Sequence, residues 1–257
     1  MLDPKDMETY QVEAGFVIWF LGGPSLAIRT RESLLYLDFY TGLPSIPNLE
    51  KGIPEVIDPA AIRWADIALS THQHLDHCHK ESLEWLHKNT SSLFLGPASC
   101  NELYREWGFD LARTRLIAPN ESFAKGDVIV HALPSNDEYG PDAVSFLLEA
   151  DGVKIFDGGD TFYFPEMAEI GRKWGIDVAF LNYAKNLPDK IYYMDEEAVL
   201  KAARDLNAKI VFLKHYALWV ICAIDPAPVL ERLRAQGQDA RTLALGERLE
   251  YRGEPCL

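Results

Sequence analysis

The chain has 257 residues, of which 48% are hydrophobic, and its formal charge is −14. This is the composition of a globular protein with a buried core, and the negative charge without a basic cluster excludes the usual nucleic-acid-binding classes. No apolar run reaches the roughly 18 residues of a membrane span, so we expect no membrane anchor. The four cysteines form no CxxC pair, which indicates a reduced, cytoplasmic protein; they are Cys78, Cys100, Cys222 and Cys256.

The first half of the chain begins with strands and continues with strand–helix pairs. Three β-rich apolar runs separated by turn residues open it, and two buried strands then alternate with two amphipathic helices. The predicted strands are 15–21, 26–30, 34–39, 66–71 and 92–96, and the predicted helices are 80–88 and 99–108.

The second half repeats this order. Its clearest feature is a hairpin whose turn, Asp151-Gly152, suits positive φ. Asp195 and the pair Asp225-Pro226 are typical start signals for helices. The predicted strands are 127–133, 143–150, 153–159, 177–183 and 209–214, with short strands at the end, and the predicted helices are 165–174, 195–206 and one from about 226.

No linker, repeat or low-complexity segment separates the two halves. Two mixed sheets that face each other, with helices on the outer faces, would bury this pattern. We therefore expect an α/β protein with one αββα sandwich, formed by residues 1–257 as a single domain.

The stretch "STHQHLDHCH", residues 70–79, concentrates metal-ligand side chains. His72 and His74 lie two apart in an extended segment, so both rings leave the chain on one side and can share an ion. Asp76 and His77 follow where the chain turns towards a helix, and they can face a second ion. The alternative is a polar loop that is rich in histidine by chance, but four ligand-type side chains in six positions favour a metal site.

Three other histidines are expected to lie outside the site. His79 and His87 are predicted to be exposed helix residues, and His131, inside a strand, is predicted to be structural.

Two distant strand ends offer further ligands. Asp160 lies in "FDGGDT", where its carboxylate could bridge two ions, although an aspartate that caps a turn is the common alternative. His215 ends the strand in "IVFLKHYALW", where it could bind the second ion or be a buried structural histidine. The cluster at 70–79 favours ligation at both positions.

These motifs resemble those of the metallo-β-lactamase fold superfamily. "THQHLDH" matches its H-x-H-x-D-H signature, "GGDT" its later G-D-T/S motif, and His215 its last metal histidine. Within the superfamily the chain is most similar to the L-ascorbate-6-phosphate lactonase family, from about residue 16 to 230. The resemblance implies the metallo-β-lactamase-like αββα sandwich, one or two divalent ions at one edge, Mn or Zn rather than a thiolate-bound metal, a metal-bound hydroxide as nucleophile, and a homo-oligomer.

The chain departs from that family around the expected substrate pocket. The usual histidine after the middle strand is absent, and Asp137 stands where the lactonases also have an aspartate, with Asn136 and Asp142 as competitors. A loop that is long in the lactonases is short here. Lys185 occupies a position where the family tends to have an acidic residue, and Tyr216 replaces the second histidine of a pair.

The function expected from these residues is hydrolysis of a small lactone or ester, with or without a phosphate. Asp76 would orient or bind the attacking water, Lys185 or Lys214 could neutralise a phosphate, and Tyr183 and Asn186 could line the pocket mouth. The alternatives are a phosphodiesterase acting on a small nucleotide or phosphoester, and a non-catalytic metal-binding or interaction protein with the same fold.

Overall fold

Two seven-stranded mixed β-sheets face each other in the computed structural model, which describes residues 1–42 and 49–253. Cys256 therefore lies outside the described residues. The strands in the described ranges are β1 (Phe16–Gly22), β2 (Ser25–Arg29), β3 (Leu34–Leu37), β4 (Ile67–Leu69), β5 (Leu93–Gly96), β6 (Thr114–Leu116), β7 (Ser122–Lys125), β8 (Val128–Pro134), β9 (Val144–Ala150), β10 (Val153–Asp157), β11 (Val178–Asn182), β12 (Ile210–Lys214), β13 (Asp239–Arg241) and β14 (Arg248–Tyr251).

The strand order is β14-β1-β2-β3-β4-β5-β6 in the first sheet and β13-β12-β11-β10-β9-β8-β7 in the second. In the first sheet, β14 to β3 pair antiparallel and β3 to β6 pair parallel. In the second, β10 to β13 pair parallel and β7 to β10 pair antiparallel. Each sheet thus joins a meander to a block of parallel strands, as the alternation of element types in the sequence predicts.

The helices cover the outer faces of the sandwich. In strand β1, Phe16 and Ile18 face the core between the sheets, whereas Val17 and Trp19 face an outer core that is shared with helices. The period of two, with both faces apolar, explains why the strand is buried throughout. The described helices are α1 (Pro4–Thr9), α2 (Lys80–Asn89), α3 (Ala98–Glu106), α4 (Met167–Trp174), α5 (Glu196–Leu206) and α6 (Ala227–Ala235).

The predicted αββα sandwich is confirmed. The Asp195 side chain caps α5 by accepting from the backbone N–H of Ala198 at 2.8 Å, as the start signal indicates. The short elements α1, β6 and β7 were not predicted, because each is too brief to show a clear apolar period.

No helix in the described part of the chain is long and apolar enough to cross a bilayer. The organisation of residues 1–257 as a single domain stays a prediction.

Candidate metal centre

The residues of the candidate site come from loops that follow parallel strands. The loop after β4 carries His72 to His77, the turn after β10 carries Asp160, and the residue after β12 is His215. Because the carboxyl ends of parallel strands lie at one edge of a sheet, the two sheets bring these side chains together at a shared edge of the sandwich.

Three of these side chains form a first donor group, consisting of His72, His74 and Asp160, whose donor atoms all lie within 4.8 Å of one another. The ring atoms His72 Nε2 and His74 Nδ1 are 2.8 Å apart. Asp137 approaches the same group, because its Oδ2 atom is 3.8 Å from His72 Nε2.

A second donor group consists of Asp76, His77 and His215 and meets the same distance limit. The Oδ2 atom of Asp76 lies 3.2 Å from His215 Nε2. Asp160 contacts this group as well, with Oδ2 at 3.2 Å from His77 Nε2 and Oδ1 at 3.7 Å from His215 Nε2. Asp160 is therefore the carboxylate that lies between the two groups.

Several donor atoms at this edge are buried and have no hydrogen-bond partner among the described residues. They are His77 Nε2, Asp137 Oδ2, Asp160 Oδ1 and both ring nitrogens of His215. Buried polar atoms are normally hydrogen-bonded, because burial without a partner costs free energy. Imidazole nitrogens and carboxylate oxygens that converge without partners fit a divalent cation, and neither group contains a cysteine.

The structure distinguishes the three candidates for the remaining ligand. Asp142 accepts hydrogen bonds from the backbone N–H and the hydroxyl of Ser99, both at 2.8 Å, so it holds the start of α3. Asn136 is exposed. Only Asp137 points its carboxylate at His72, and Gly140 makes room for it, because a Cβ atom there would lie 2.6 Å from Asp137 Oδ2.

Asp38, which sequence analysis missed, contacts the Nδ1 atom of His77, the ring nitrogen opposite the one that faces Asp160. Its Oδ2 atom lies 2.8 Å from His77 Nδ1 and 2.9 Å from Thr71 Oγ1, and its Oδ1 atom accepts from the Thr71 backbone N–H at 2.8 Å. The side chain is fully buried and its backbone φ is 47°. A carboxylate on Nδ1 keeps the proton there and leaves Nε2 free to bind a cation.

The rim of the second donor group is aromatic. Trp219 donates its Nε1–H to Asp76 Oδ2 at 3.1 Å, and the Tyr193 ring lies 4.7 Å from the His215 ring. Burial raises the pKa of Tyr193, so its phenol keeps its proton at neutral pH. Neither aromatic residue belongs to a recognisable motif, and sequence analysis missed both.

The electrostatics of the site favour a bound cation. Burial opposes protonation of His77, but the carboxylates of Asp160, Asp38 and Asp76 outweigh burial and raise its pKa well above the usual value. Burial also acts to raise the pKa of Asp160, yet the His77 and His215 rings hold it below the usual range. The carboxylates of Asp76 and Asp160 thus stay ionised and attract positive charge to the centre. Burial lowers the pKa of His72, which keeps that ring neutral with a lone pair for a metal.

Two histidines predicted to be exposed are not. His79 is 2% exposed, because it lies where the loop enters α2 and its Nδ1 is 2.8 Å from Ser82 Oγ. His87 is half-buried, since its ring stacks on Phe109 with centroids 4.4 Å apart. Both predictions were wrong about exposure, and neither ring belongs to a donor group.

Two predicted substrate contacts are also corrected. Lys214 is buried in an ion pair with Asp157, so it cannot neutralise a substrate phosphate. Tyr183, directly after β11, is buried in the cluster on the helix side of the sheet, so its side chain is not available to a substrate.

The remaining predicted contacts lie nearer the site. Lys185 is exposed, and its backbone N–H donates to the carbonyl of Cys222 at 2.8 Å. Asn186 holds a loop beside the centre, because its side-chain oxygen accepts from the backbone N–H groups of Tyr192 and Tyr193 at 2.8 and 2.9 Å.

We expect Asp38→Asn to lower metal affinity about 10- to 100-fold, the usual cost of losing an outer-shell partner. The amide can still accept from Thr71, but it no longer offers a full negative charge to His77. Titration of the metal-free protein with Mn²⁺ or Zn²⁺ against a competing chelator measures the change. Asp66→Asn is the matched control, because Asp66 accepts a backbone N–H of the same sheet, from Leu34, away from the centre. Equal affinities for the two variants would contradict the role of Asp38.

The chain is similar in sequence to a known protein family. A family model described as "Beta-lactamase superfamily domain" matches residues 46–216. Over 273 aligned residues the chain is 26% identical to a Salmonella paratyphi B protein named "Probable L-ascorbate-6-phosphate lactonase UlaG", an alignment that covers 88% of this chain and 76% of that protein.

Solved structures share the fold at lower identity. Igni18, described as a novel metallo hydrolase from the archaeon Ignicoccus hospitalis, superimposes with a TM-score of 0.74 at 18% identity, covering 92% of this chain and 99% of that one. CmlA, a diiron beta-hydroxylase from Streptomyces venezuelae, gives 0.74 at 17% identity, with 93% and 55% covered. At such identities these likenesses show the fold alone.

Proposed function

The chain belongs to the β-lactamase superfamily, and from this premise we propose that it is a metal-dependent hydrolase of a small lactone or ester. One or two divalent ions, Mn or Zn, would be its cofactor, since imidazole and carboxylate donors without thiolates suit both. We assign His72, His74 and Asp137 to one ion, Asp76, His77 and His215 to the other, and Asp160 to both.

The observation that carries the proposal is the convergence of unpartnered, buried donor atoms from four separate strand ends. These residues would hold a divalent ion, which would supply a water acidic enough to attack at neutral pH and would polarise the oxygen of the electrophile. Asp76 is the residue we assign to orienting that water, because its carboxylate is fixed by Trp219 on one oxygen. The Tyr193 phenol, next to His215, can donate a hydrogen bond to the substrate.

Metal analysis combined with substrate panels tests this proposal. The purified protein is loaded with Mn²⁺ or Zn²⁺, its metal content is measured, and lactones, esters and phosphodiesters are assayed side by side. We expect bound metal and turnover of lactones or esters, with both lost in His74→Ala. Faster turnover of phosphodiesters would favour the phosphodiesterase alternative. Bound metal without turnover on any panel would contradict the hydrolase and favour a binding protein.

A further inference from the structure

We propose that the substrate is uncharged and carries an apolar portion, so that phosphorylated lactones and esters are poor substrates. This inference rests on the proposed hydrolase and concerns the cavity beside its centre. The shape, the walls and the charge of that cavity each support it.

The cavity has a volume of about 480 Å³, and several of its wall residues are chain neighbours or contacts of the donor-group residues. Glu138 of its wall directly follows Asp137, and Phe162 lies two residues after Asp160. Tyr193, another wall residue, contacts the His215 ring. A small molecule with its reacting carbonyl at the metal centre would therefore extend its remaining part into this space.

The walls of this space are largely aromatic and aliphatic. They include Phe162, Tyr163, Ile191, Tyr193 and Met194. Ile191 is 59% exposed although it is a large aliphatic residue. An exposed aliphatic side chain at a cavity wall gains free energy when an apolar ligand covers it.

Apolar residues continue from this wall along the rim, since Tyr193 and Trp219 belong to one cluster. Trp219, which holds Asp76, packs in a cluster with Leu75, Leu187 and Cys222. Val220 and Ile221, directly after Trp219, are 48% and 57% exposed. Apolar surface thus extends from the cavity to the neighbourhood of Asp76, which favours a substrate whose body is hydrophobic.

The charges of the cavity disfavour an anion. Three carboxylates line it, those of Glu138, Asp195 and Glu197, against the ammonium of Lys201. Glu197 also pairs at 2.7 Å with Arg232, which lies outside the lining, so the surplus of negative charge comes from Glu138 and Asp195. The Lys201 ammonium lies 5.8 Å from the centroid of the Tyr163 ring, also in the wall. Phosphate sites instead gather arginines, lysines and free backbone N–H groups. The lining therefore repels a phosphate monoester more than it attracts one.

Lys214 cannot offset this negative charge, because its ammonium lies 2.8 and 2.7 Å from the two carboxylate oxygens of Asp157. Lys185 does not line the cavity. A neutral substrate avoids both the repulsion and the need for a cationic subsite.

The test compares γ-lactones that differ only in their side chain. One series carries alkyl chains of increasing length, and two matched series end the same chains in a hydroxyl or in a phosphate monoester. We expect kcat/KM to rise roughly two- to fourfold for each added methylene until the cavity is filled. We expect the phosphate-ended lactones to react at least about tenfold more slowly than the hydroxyl-ended ones, because the phosphate would approach the carboxylates that line the cavity. A preference for the phosphate-ended series would overturn the inference.

Binding of the corresponding γ-lactams separates failure of the inference from failure of the proposed function. Calorimetry with the metal-loaded protein measures their affinity without any turnover. Tighter binding of alkyl lactams than of phosphate-ended ones, with no lactone hydrolysed, would support the cavity assignment and contradict the hydrolase. Lactone hydrolysis with equal or tighter binding of the phosphate-ended lactams would contradict the cavity assignment and support the hydrolase.

Variants test which charges cause the discrimination. We expect the double variant Glu138→Gln, Glu197→Gln to reduce the discrimination against phosphate-ended lactones several-fold, in binding and in turnover. The matched control is Glu102→Gln, an exposed residue of α3 outside the cavity, which should leave the discrimination unchanged. Unchanged discrimination in the double variant would contradict the assigned carboxylates.

Discussion

Asp160→Asn should remove most of the bound metal and lower kcat/KM by more than about a hundredfold, beyond the 10- to 100-fold cost of losing an outer-shell partner. Among the described residues, Asp160 is the carboxylate that shares a donor group with His72 and His74 and also contacts His77 and His215 of the other group. An amide at this position can offer only one oxygen to a cation. Its NH₂ group would face an imidazole nitrogen or a metal ion.

The measurement is the metal content after dialysis, followed by kcat/KM on the best lactone or ester. Asp142→Asn is the matched control, because Asp142 lies in a loop at the same edge but holds Ser99 at the start of α3. The Asp142→Asn variant should keep its metal. Its free energy of unfolding should fall by about 1 kcal/mol, the usual cost of losing a helix cap. If Asp160→Asn retained two ions and full activity, the shared position of this carboxylate would have no role in binding.

The sequence predicts which candidate donors lie together wherever these residues are close together in the chain. His72, His74, Asp76 and His77 occupy six positions, so local geometry alone places them on one loop. The order of strands and helices predicts that loops after parallel strands meet at one edge, which adds Asp160 and His215. These predictions needed only periodicity and spacing.

The choice between Asp137 and Asp142 needed tertiary structure. Both lie in the same polar segment, and nothing local shows that Asp142 is occupied by Ser99, 43 residues away in the chain. Asp38 was missed for the same reason, since in sequence it is merely a polar residue near the end of the predicted strand 34–39. Its partner His77 is 39 residues further on.

Lys214 shows the opposite error. A lysine after four apolar residues of a buried strand looks like a strand end that reaches solvent, where it could meet a substrate. Its partner Asp157 ends β10, which β11 separates from β12, and only the sheet order brings the two side chains together. Periodicity reports which face a residue is on, but not which charged side chain from another strand shares that face.

This buried ion pair carries the largest expected effect on stability. We expect Asp157→Asn and Lys214→Met each to lower the free energy of unfolding by about 3–5 kcal/mol, because each leaves the other charge buried without its partner. The Lys214 ammonium contacts both oxygens of Asp157 and the carbonyl of Pro24 at 3.1 Å, and its side chain is 1% exposed. The carbonyl of Pro24 alone does not replace the negative charge that the ammonium loses in Asp157→Asn.

Urea denaturation of the metal-free variants measures these losses without a contribution from metal binding. The double variant Asp157→Leu, Lys214→Met should be more stable than the sum of the two single losses predicts, because it leaves no buried charge behind. Arg232→Met, which breaks exposed pairs with Glu196 and Glu197, is the control and should cost less than about 1 kcal/mol. Single variants as stable as the parent would show that water reaches the pair. Asp157 precedes the turn of Asp160, and Lys214 precedes His215. Without the ion pair, the two strand ends that carry Asp160 and His215 would no longer be held at a fixed distance. The same variants should therefore also bind metal more weakly.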